Sequence, residues 1–206
     1  MSDFSATDKT TITRLPKRGN YDQKVVYDIL DEALFCTIAY VRSGEAFQIP
    51  TGFCRIGDTL YIHGSVGSFY MRDLAEHKKN VCISVTLLDG LVLARSAFHH
   101  SANYRSVVLF SQCEKISEQK LLYSVMETFT NKMQPGRFDI VRKPNDTEWK
   151  ATAVLAFKIN EASAKIRTGP PVDDEEDYRL NVWAGVVPLK LQRLTPLEDL
   201  LKKESL

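Results

Sequence analysis

The stretch NVCISVTLL (80–88) alternates without a break. Val81, Ile83, Val85 and Leu87 point one way, and Cys82, Ser84 and Thr86 the other. A period of two is that of a strand with one buried face. Apolar, partly β-branched runs recur along the chain: LFCTIAYV (34–41), Phe47 to Arg55, LYIHG (60–64), LVLARS (91–96), NYRSVVLFSQCEKI (103–116), ATAVLAFKI (151–159), residues 163–168 and VWAGVVPLK (182–190). Gly57-Asp58 reads as a tight turn, and Asp89-Gly90 separates two of the runs. The pattern predicts about seven or eight strands against three or four helices. Strands in hairpin-like succession point to a mainly β, antiparallel barrel with peripheral helices, rather than a doubly wound parallel sheet.

The helical pieces are few. Val25, Val26, Ile29, Leu30 and Ala33 form one stripe of a helix starting near Asn20, with Asn20 as cap and Gln23 three residues on. A short helix is expected from Ser68 to His77, with Ser68 as N-cap. Ser117 can cap a third, carrying Leu121, Leu122, Val125, Met126, Phe129 and Met133, which Pro135-Gly136 ends. Residues 137–150 read as irregular or briefly helical. Thr195-Pro196-Leu197-Glu198 has the cap, the first-turn proline and the glutamate of a final helix start. Residues 1–19 are polar and aperiodic and read as a flexible N-terminal arm. Residues 20–206 read as a single domain.

Composition removes several function classes. Lys+Arg is 27 and Asp+Glu 26, a net charge of +1 over 206 residues. No global basic surface draws nucleic acid or an anionic membrane. No apolar run approaches the roughly 20 residues that span a bilayer, and the N-terminus lacks the apolar core of a secretory signal. Cys36, Cys54, Cys82 and Cys113 are widely spaced and form no CxxC pair, so they read as buried free thiols in a reducing, cytoplasmic setting. No GxGxxG or Walker A sequence is present.

Three segments could carry chemistry. In LYIHGSVGSFYMRDL (60–74) a strand ends at His63-Gly64 and a helix opens at Ser68. Gly64 and Gly67 permit close backbone approach, Ser65 and Ser68 supply hydroxyls, and the helix start offers N–H groups. With Arg72 one turn on, this is a candidate monophosphate cradle; the bland alternative is a strand-to-helix turn with a surface arginine. In ARSAFHHSANYRSVV (94–108), Arg95, His99, His100, Asn103, Tyr104 and Arg105 crowd between apolar strands, as in a loop that closes over a ligand. His99 and His100 are adjacent, so a strand would point them to opposite faces, and no metal site is expected. Trp183 stands beside Ala184 and Gly185, where a flat ring could lie against the indole or the indole could simply be core. The acidic run Asp173–Asp177 lacks EF-hand spacing and reads as a solvated loop. No nucleophile–base–orienter set is evident.

Taken in order, RGNYDQKVVYDILDEALFCTIAYV, IPTGFCRIGDTLYIHGSVGSFYMRDL, VTLLDGLVLARSAFHHSANYRSVVLF, ASAKIRTGPPVDDEEDY and VWAGVVPL resemble the pyridoxamine 5′-phosphate oxidase-like superfamily of FMN-binding split β-barrels. HHSANYRSVV and GPPVDDEEDY are similar to its flavin-nucleotide-binding branch, related to nitroimidazole-resistance proteins. The resemblance runs from about Arg18 to Leu189. It implies a homodimer with FMN at the subunit interface. It places Pro50, Thr51, Gly52 and Phe53 along the flavin ring and Arg55 at the phosphate. The phosphate turn would be His63, Gly64, Ser65, Ser68 and Arg72. Arg105 and Ser106 would fall where the partner subunit gives polar contacts to the ring, with Asn103 and Tyr104 also at the cofactor, and Trp183 would pack near the flavin.

Departures qualify the activity. The Arg-x-His segment that holds the vitamin substrate in true oxidases is missing after Trp183, where the chain reads VVPLKLQRLTPLEDL, so pyridoxamine phosphate oxidation is not expected. Ser111 stands where a glycine is usual. Tyr70 stands where many relatives carry a lysine, which leaves the phosphate charge to Arg55 and Arg72. The expected function is an FMN-dependent reductase of small organic molecules. The alternatives are a flavin carrier or sensor without turnover, or a haem-binding relative using a histidine as axial ligand.

Overall fold

A computed structural model describes residues 3–199. Its strands are β1 (Gly19–Asn20), β2 (Phe35–Arg42), β3 (Glu45–Gly52), β4 (Cys54–Ile56), β5 (Thr59–Ser65), β6 (Asn80–Leu93), β7 (Ser101–Ile116), β8 (Thr152–Lys158), β9 (Glu161–Arg167) and β10 (Gly185–Pro188). Its helices are α1 (Gln23–Glu32), α2 (Phe69–Glu76), α3 (Gln119–Met133), α4 (Arg137–Ile140) and α5 (Asp146–Ala151). The strands pair in the order β3-β2-β6-β7-β8-β5-β4, with β9 joining β1 to β7 and β10 lying on β6. β2 pairs with β3 and β6, β5 with β4 and β8, β7 with β8 and β9, β1 with β9, and β10 with β6, each antiparallel. The mainly β, antiparallel class expected from the alternation is the one observed, and it is that of the split barrel.

The tight connections follow from local chemistry. Ser43 (φ 49°) and Gly44 (φ 82°) form the two-residue turn between β2 and β3, where both central residues need positive φ. Gly57 (φ 61°) opens the turn between β4 and β5, as its place before Asp58 suggested. The alternation of β6 is realised: Val81, Ile83 and Val85 are buried and Cys82 and Ser84 half-buried. They join Ile38, Leu60, Ile62, Leu109, Leu155 and Phe157 in one core. At roughly 1.5–3 kcal/mol for each large apolar side chain fully buried, this core is the main stabilising contribution.

Several boundaries differ from the expectation. Asp89-Gly90 does not separate two strands: β6 runs through it to Leu93. A Cβ on Gly90 would lie 3.0 Å from Val186 Cγ1 and 3.1 Å from the Val187 carbonyl oxygen, so this glycine admits β10 rather than reversing the chain. Asp22, not Asn20, caps α1, accepting from Lys24 N at 2.7 Å, while Asn20 accepts from Asp22 N. Glu118 rather than Ser117 occupies the N-cap of α3. The N-terminal arm is packed rather than loose. Phe4 and Thr10 are buried, Phe4 N donates to Tyr21 O, and the Tyr21 hydroxyl donates to Thr10 O. One aromatic inside an otherwise polar run was enough to dock it. Residues 191–199 form no regular structure, so the helix expected at Thr195 does not begin there; its continuation lies outside the described residues.

The chain divides into two compact units. The first holds residues 1–87 and 103–169, and the second residues 88–102 and 170–206. Within the first, α3 covers β4 and β5 through Val125, Leu121, Leu122 and Phe129. Lys132, near its end, donates to Leu30 O at 2.9 Å and sits 3.8 Å from the Phe53 ring, so it caps the last turn of α1. Within the second, β10 pairs with the end of β6, and residues 95–99 meet 173–178. Among the described residues no helix is long and apolar enough to cross a membrane.

Candidate functional site

The cradle read from the sequence exists as a turn. β5 ends at Ser65, whose Oγ accepts from Gly67 N at 3.1 Å and whose carbonyl accepts from Ser68 N at 2.9 Å. Gly64 backs directly onto α2: a Cβ there would lie 3.2 Å from Met71 Cγ. Ser68 takes the extended N-cap conformation, yet its side chain makes no capping bond. The opening amides of α2 therefore lack the partner that a serine cap normally supplies, and that cap is worth about 1 kcal/mol. Met71 and Leu74 are buried, which turns Phe69 and Arg72 outward, three residues apart on one face.

Arg72 is exposed, and its guanidinium forms no hydrogen bond or ion pair among the described residues. It lines a cavity of about 150 Å³ with Val66, Met71, Glu76, Lys115 and Ala153. A larger cavity of about 760 Å³ lies along Ala39, Val41, Cys82 and Phe110. Its lysines are already engaged, Lys9 with Glu161 and Lys79 with Asp73 and the Val41 carbonyl, so it offers no spare cation to an anion.

Other expected residues are placed differently. Arg55 was assigned to the phosphate, but Asp31 holds its guanidinium through two oxygens, with Nε–Oδ1 at 2.9 Å. It also donates to the Gly57 carbonyl and lies 4.2 Å over the Tyr27 ring. A bidentate carboxylate and an aromatic face already serve this group. Phe53 is fully buried, so its side chain belongs to the core and only its backbone can face a ligand. Pro50 and Thr51 remain accessible on β3. Gly52 meets Phe129, and a Cβ there would stand 3.0 Å from the ring, so the close approach this glycine allows is used by α3.

His63 lies half-buried beneath the same phenylalanine, ring centroids 4.3 Å apart and edge-on. Burial lowers its pKa below the ordinary histidine value, which favours the neutral imidazole. Its side chain forms no hydrogen bond among the described residues.

The polar crowd of residues 94–108 is largely satisfied within the chain. Asn103 donates to Gly169 O at 3.1 Å and accepts from Arg167. Arg105 pairs bidentately with Glu32, Nη2–Oε1 at 2.9 Å, and Ser106 donates to Lys165 O. Tyr104 lies opposite Arg167 in the ladder. In the second unit, the Asp173 carboxylate has no exposed surface and accepts from the amides of Arg95 and Ser96 and from Arg95 Nη1. Burial would raise this carboxyl, but the Ser96 and Arg95 donors outweigh it and hold it below the ordinary aspartate. His99 Nε2 lies 3.2 Å from Asp174 Oδ2, and His100 Nδ1 3.0 Å from Ser96 O. Trp183, 65% exposed, covers the face of Gly185, where a Cβ would come within 2.9 Å of the indole.

Sequence reasoning missed Arg42. It ends β2, and its Cζ stands 4.0 Å from the ring centroid of Phe69, the first residue of α2. Nothing local marked it, because the pairing joins residues from two separate elements.

Comparison with known proteins adds the lineage. The sequence profile of the family described as pyridoxamine 5′-phosphate oxidase matches residues 22–166. The flavocytochrome Anf3 from Azotobacter vinelandii is 38% identical with a TM-score of 0.88, over 97% of this chain and 92% of that one. The FAD and heme binding protein from Mycobacterium smegmatis is 38% identical with a TM-score of 0.84, over 92% of this chain and 93% of that one. A 5-nitroimidazole antibiotic resistance protein from Bacteroides thetaiotaomicron, 18% identical with a TM-score of 0.60 over 72% of this chain and 86% of that one, shares the fold. No curated protein sequence matches.

Proposed function

The chain belongs to the pyridoxamine 5′-phosphate oxidase family, and from that premise we propose that it is an FMN-dependent oxidoreductase acting on small organic molecules as a homodimer. The observation that carries the reading is the turn at residues 64–68. It joins an uncapped helix start to an unpaired arginine, a combination that suits a phosphate monoester. Ser65, Ser68 and Arg72 would hold the phosphate, and Pro50 to Gly52 would run beside the ring. The bound flavin supplies the redox chemistry. The chain's part is to position a substrate and limit water.

The homodimer has its own support. The second unit exposes Phe98 (87%), Val172, Trp183, Leu191, Leu194 and Leu197, more apolar surface than a lone chain usually leaves in water. Four free thiols, three of them buried, suit a reducing compartment such as the cytoplasm.

A second reading adds haem, favoured by His63. One relative at 38% identity is named a flavocytochrome and another an FAD and heme binding protein, and His63 is a half-buried imidazole whose pKa burial lowers, with no hydrogen-bond partner among the described residues. His99 and His100 each engage one ring nitrogen and keep the other for a metal, so they stand as axial candidates beside His63.

The test is direct. Purified protein should carry flavin absorbance, bleach with a reduced nicotinamide donor and recover with an electron acceptor. Arg72→Ala should weaken FMN binding about tenfold, the loss of one charged hydrogen bond, while light scattering still reports a dimer. Unchanged FMN affinity in that variant would remove Arg72 from the site. Flavin that never cycles would make the protein a carrier. A Soret band on haem addition, lost in His63→Ala, would establish the second reading.

A further inference from the structure

We propose that Arg42 is the second cation of the flavin phosphate site, delivered from the end of β2 rather than from α2. The inference rests on the flavin reading above and concerns which residues of this chain complete it. An FMN phosphate carries close to two negative charges at neutral pH. The cations expected to balance them are not all available. Tyr70 occupies the place of a lysine, and Arg55 is held by Asp31 and Gly57. Of the cations the resemblance assigns to the phosphate, that leaves Arg72, with Lys115 on the same cavity wall.

Arg42 supplies what is missing. The Ser43-Gly44 turn fixes the end of β2 at the point where Arg42 pairs across to Glu45. From there its Cζ stands 4.0 Å from the ring centroid of Phe69, at the first residue of the helix whose N-cap serine makes no capping bond. No carboxylate forms an ion pair with it among the described residues, although Glu45 is its cross-strand neighbour. A guanidinium held over an aromatic ring keeps N–H groups for a second partner, and its planar fork matches the oxygens of a phosphate. Phe69 and Arg72 lie three residues apart on one face of α2, so the two arginines meet the same exposed side of the same helix start. An arginine engaged with an aromatic ring and no acid is pre-positioned, and its ordering cost is met before the anion arrives.

The experiment separates phosphate recognition from ring recognition. FMN and riboflavin are titrated into flavin-free protein, and binding is read by flavin fluorescence. The proteins are wild type, Arg42→Ala, Arg42→Lys and Phe69→Leu, with circular dichroism as the check on folding. Riboflavin has the same ring and no phosphate. Arg42→Ala should weaken FMN ten- to a hundredfold and riboflavin less than twofold. Arg42→Lys should recover part of the FMN loss, and Phe69→Leu should weaken FMN a few-fold by freeing the guanidinium. Equal losses for FMN and riboflavin, or an unchanged FMN affinity in folded Arg42→Ala, would overturn the proposal. Wild-type protein that binds neither ligand would instead remove the flavin reading, and the role of Arg42 with it.

Discussion

Two polar-rich segments of this chain look alike as sequence and end in opposite electrostatic states. In HGSVGSFYMRDL the serine at the helix start makes no capping bond, and the Arg72 guanidinium is unpaired among the described residues. In the segment from Arg95 to Ser106 the charges and amides are largely taken up inside the chain: Arg95 by Asp173, His99 by Asp174, Asn103 by Gly169 and Arg167, Arg105 by Glu32. Density of polar residues therefore does not mark a ligand site. What marks it is charge that the protein has not neutralised itself, because a desolvated ion already paired gains little from a second partner. The turn before α2 meets that condition, while the 95–106 segment reads chiefly as a structural clamp.

The sharpest way to break this contrast is Asp173→Ala. The side chain has no exposed surface, and its removal strands two amides and the Arg95 guanidinium, whose Nε already lacks a partner. Loss of the carboxylate strands these donors, so the melting temperature should fall by several degrees. A variant that melts like wild type would mean the clamp holds nothing and its charges are free for a ligand after all.

The same contrast explains what could be read in advance. The alternation of residues 80–88 announced β6, and the hairpin turn at Gly57 was visible as Gly-Asp. Those are contiguous signals set by backbone period and φ preference. Asp89-Gly90 looked like a break between two runs, yet the glycine marks the close approach of another strand, which only the position of β10 reveals. Phe4 was invisible as a core residue because one apolar side chain has no period. The site divides likewise. Gly64, Ser65, Ser68 and Arg72 are neighbours in sequence and were legible as a unit. The engagement of Arg55 by Asp31 and the stacking of Arg42 on Phe69 join residues 24 and 27 positions apart, which no local pattern encodes.

Lys132 sharpens the contrast with a cation the fold consumes. It caps α1 through Leu30 O and lies against Phe53. Burial pushes its pKa down to about 8, against roughly 10.4 for an unfolded chain. Between those values the unfolded chain keeps a proton that the folded chain has released, so stability contributed by this group rises with pH across that window. Denaturant titrations at pH 7 and pH 10 should show wild type gaining on Lys132→Met as pH rises. A gap independent of pH would place the ammonium in water instead.

The smallest effect is expected where the resemblance placed the most weight. Arg55→Ala should change FMN affinity by less than about twofold, because its guanidinium is committed to Asp31 and Gly57 and would have to abandon both to reach a phosphate. Its stability cost should also be modest, about 1 kcal/mol or below, since Asp31 stays half-exposed and water can replace the lost partner. The comparison with Arg72→Ala then isolates the variable that matters. The two arginines flank the same helix-strand region of sequence and carry the same charge; they differ in whether a carboxylate already holds them. A tenfold loss of FMN in Arg55→Ala, with riboflavin unaffected, would show that the Asp31 pair opens when phosphate binds, and that pairing within the chain does not by itself remove a cation from the site.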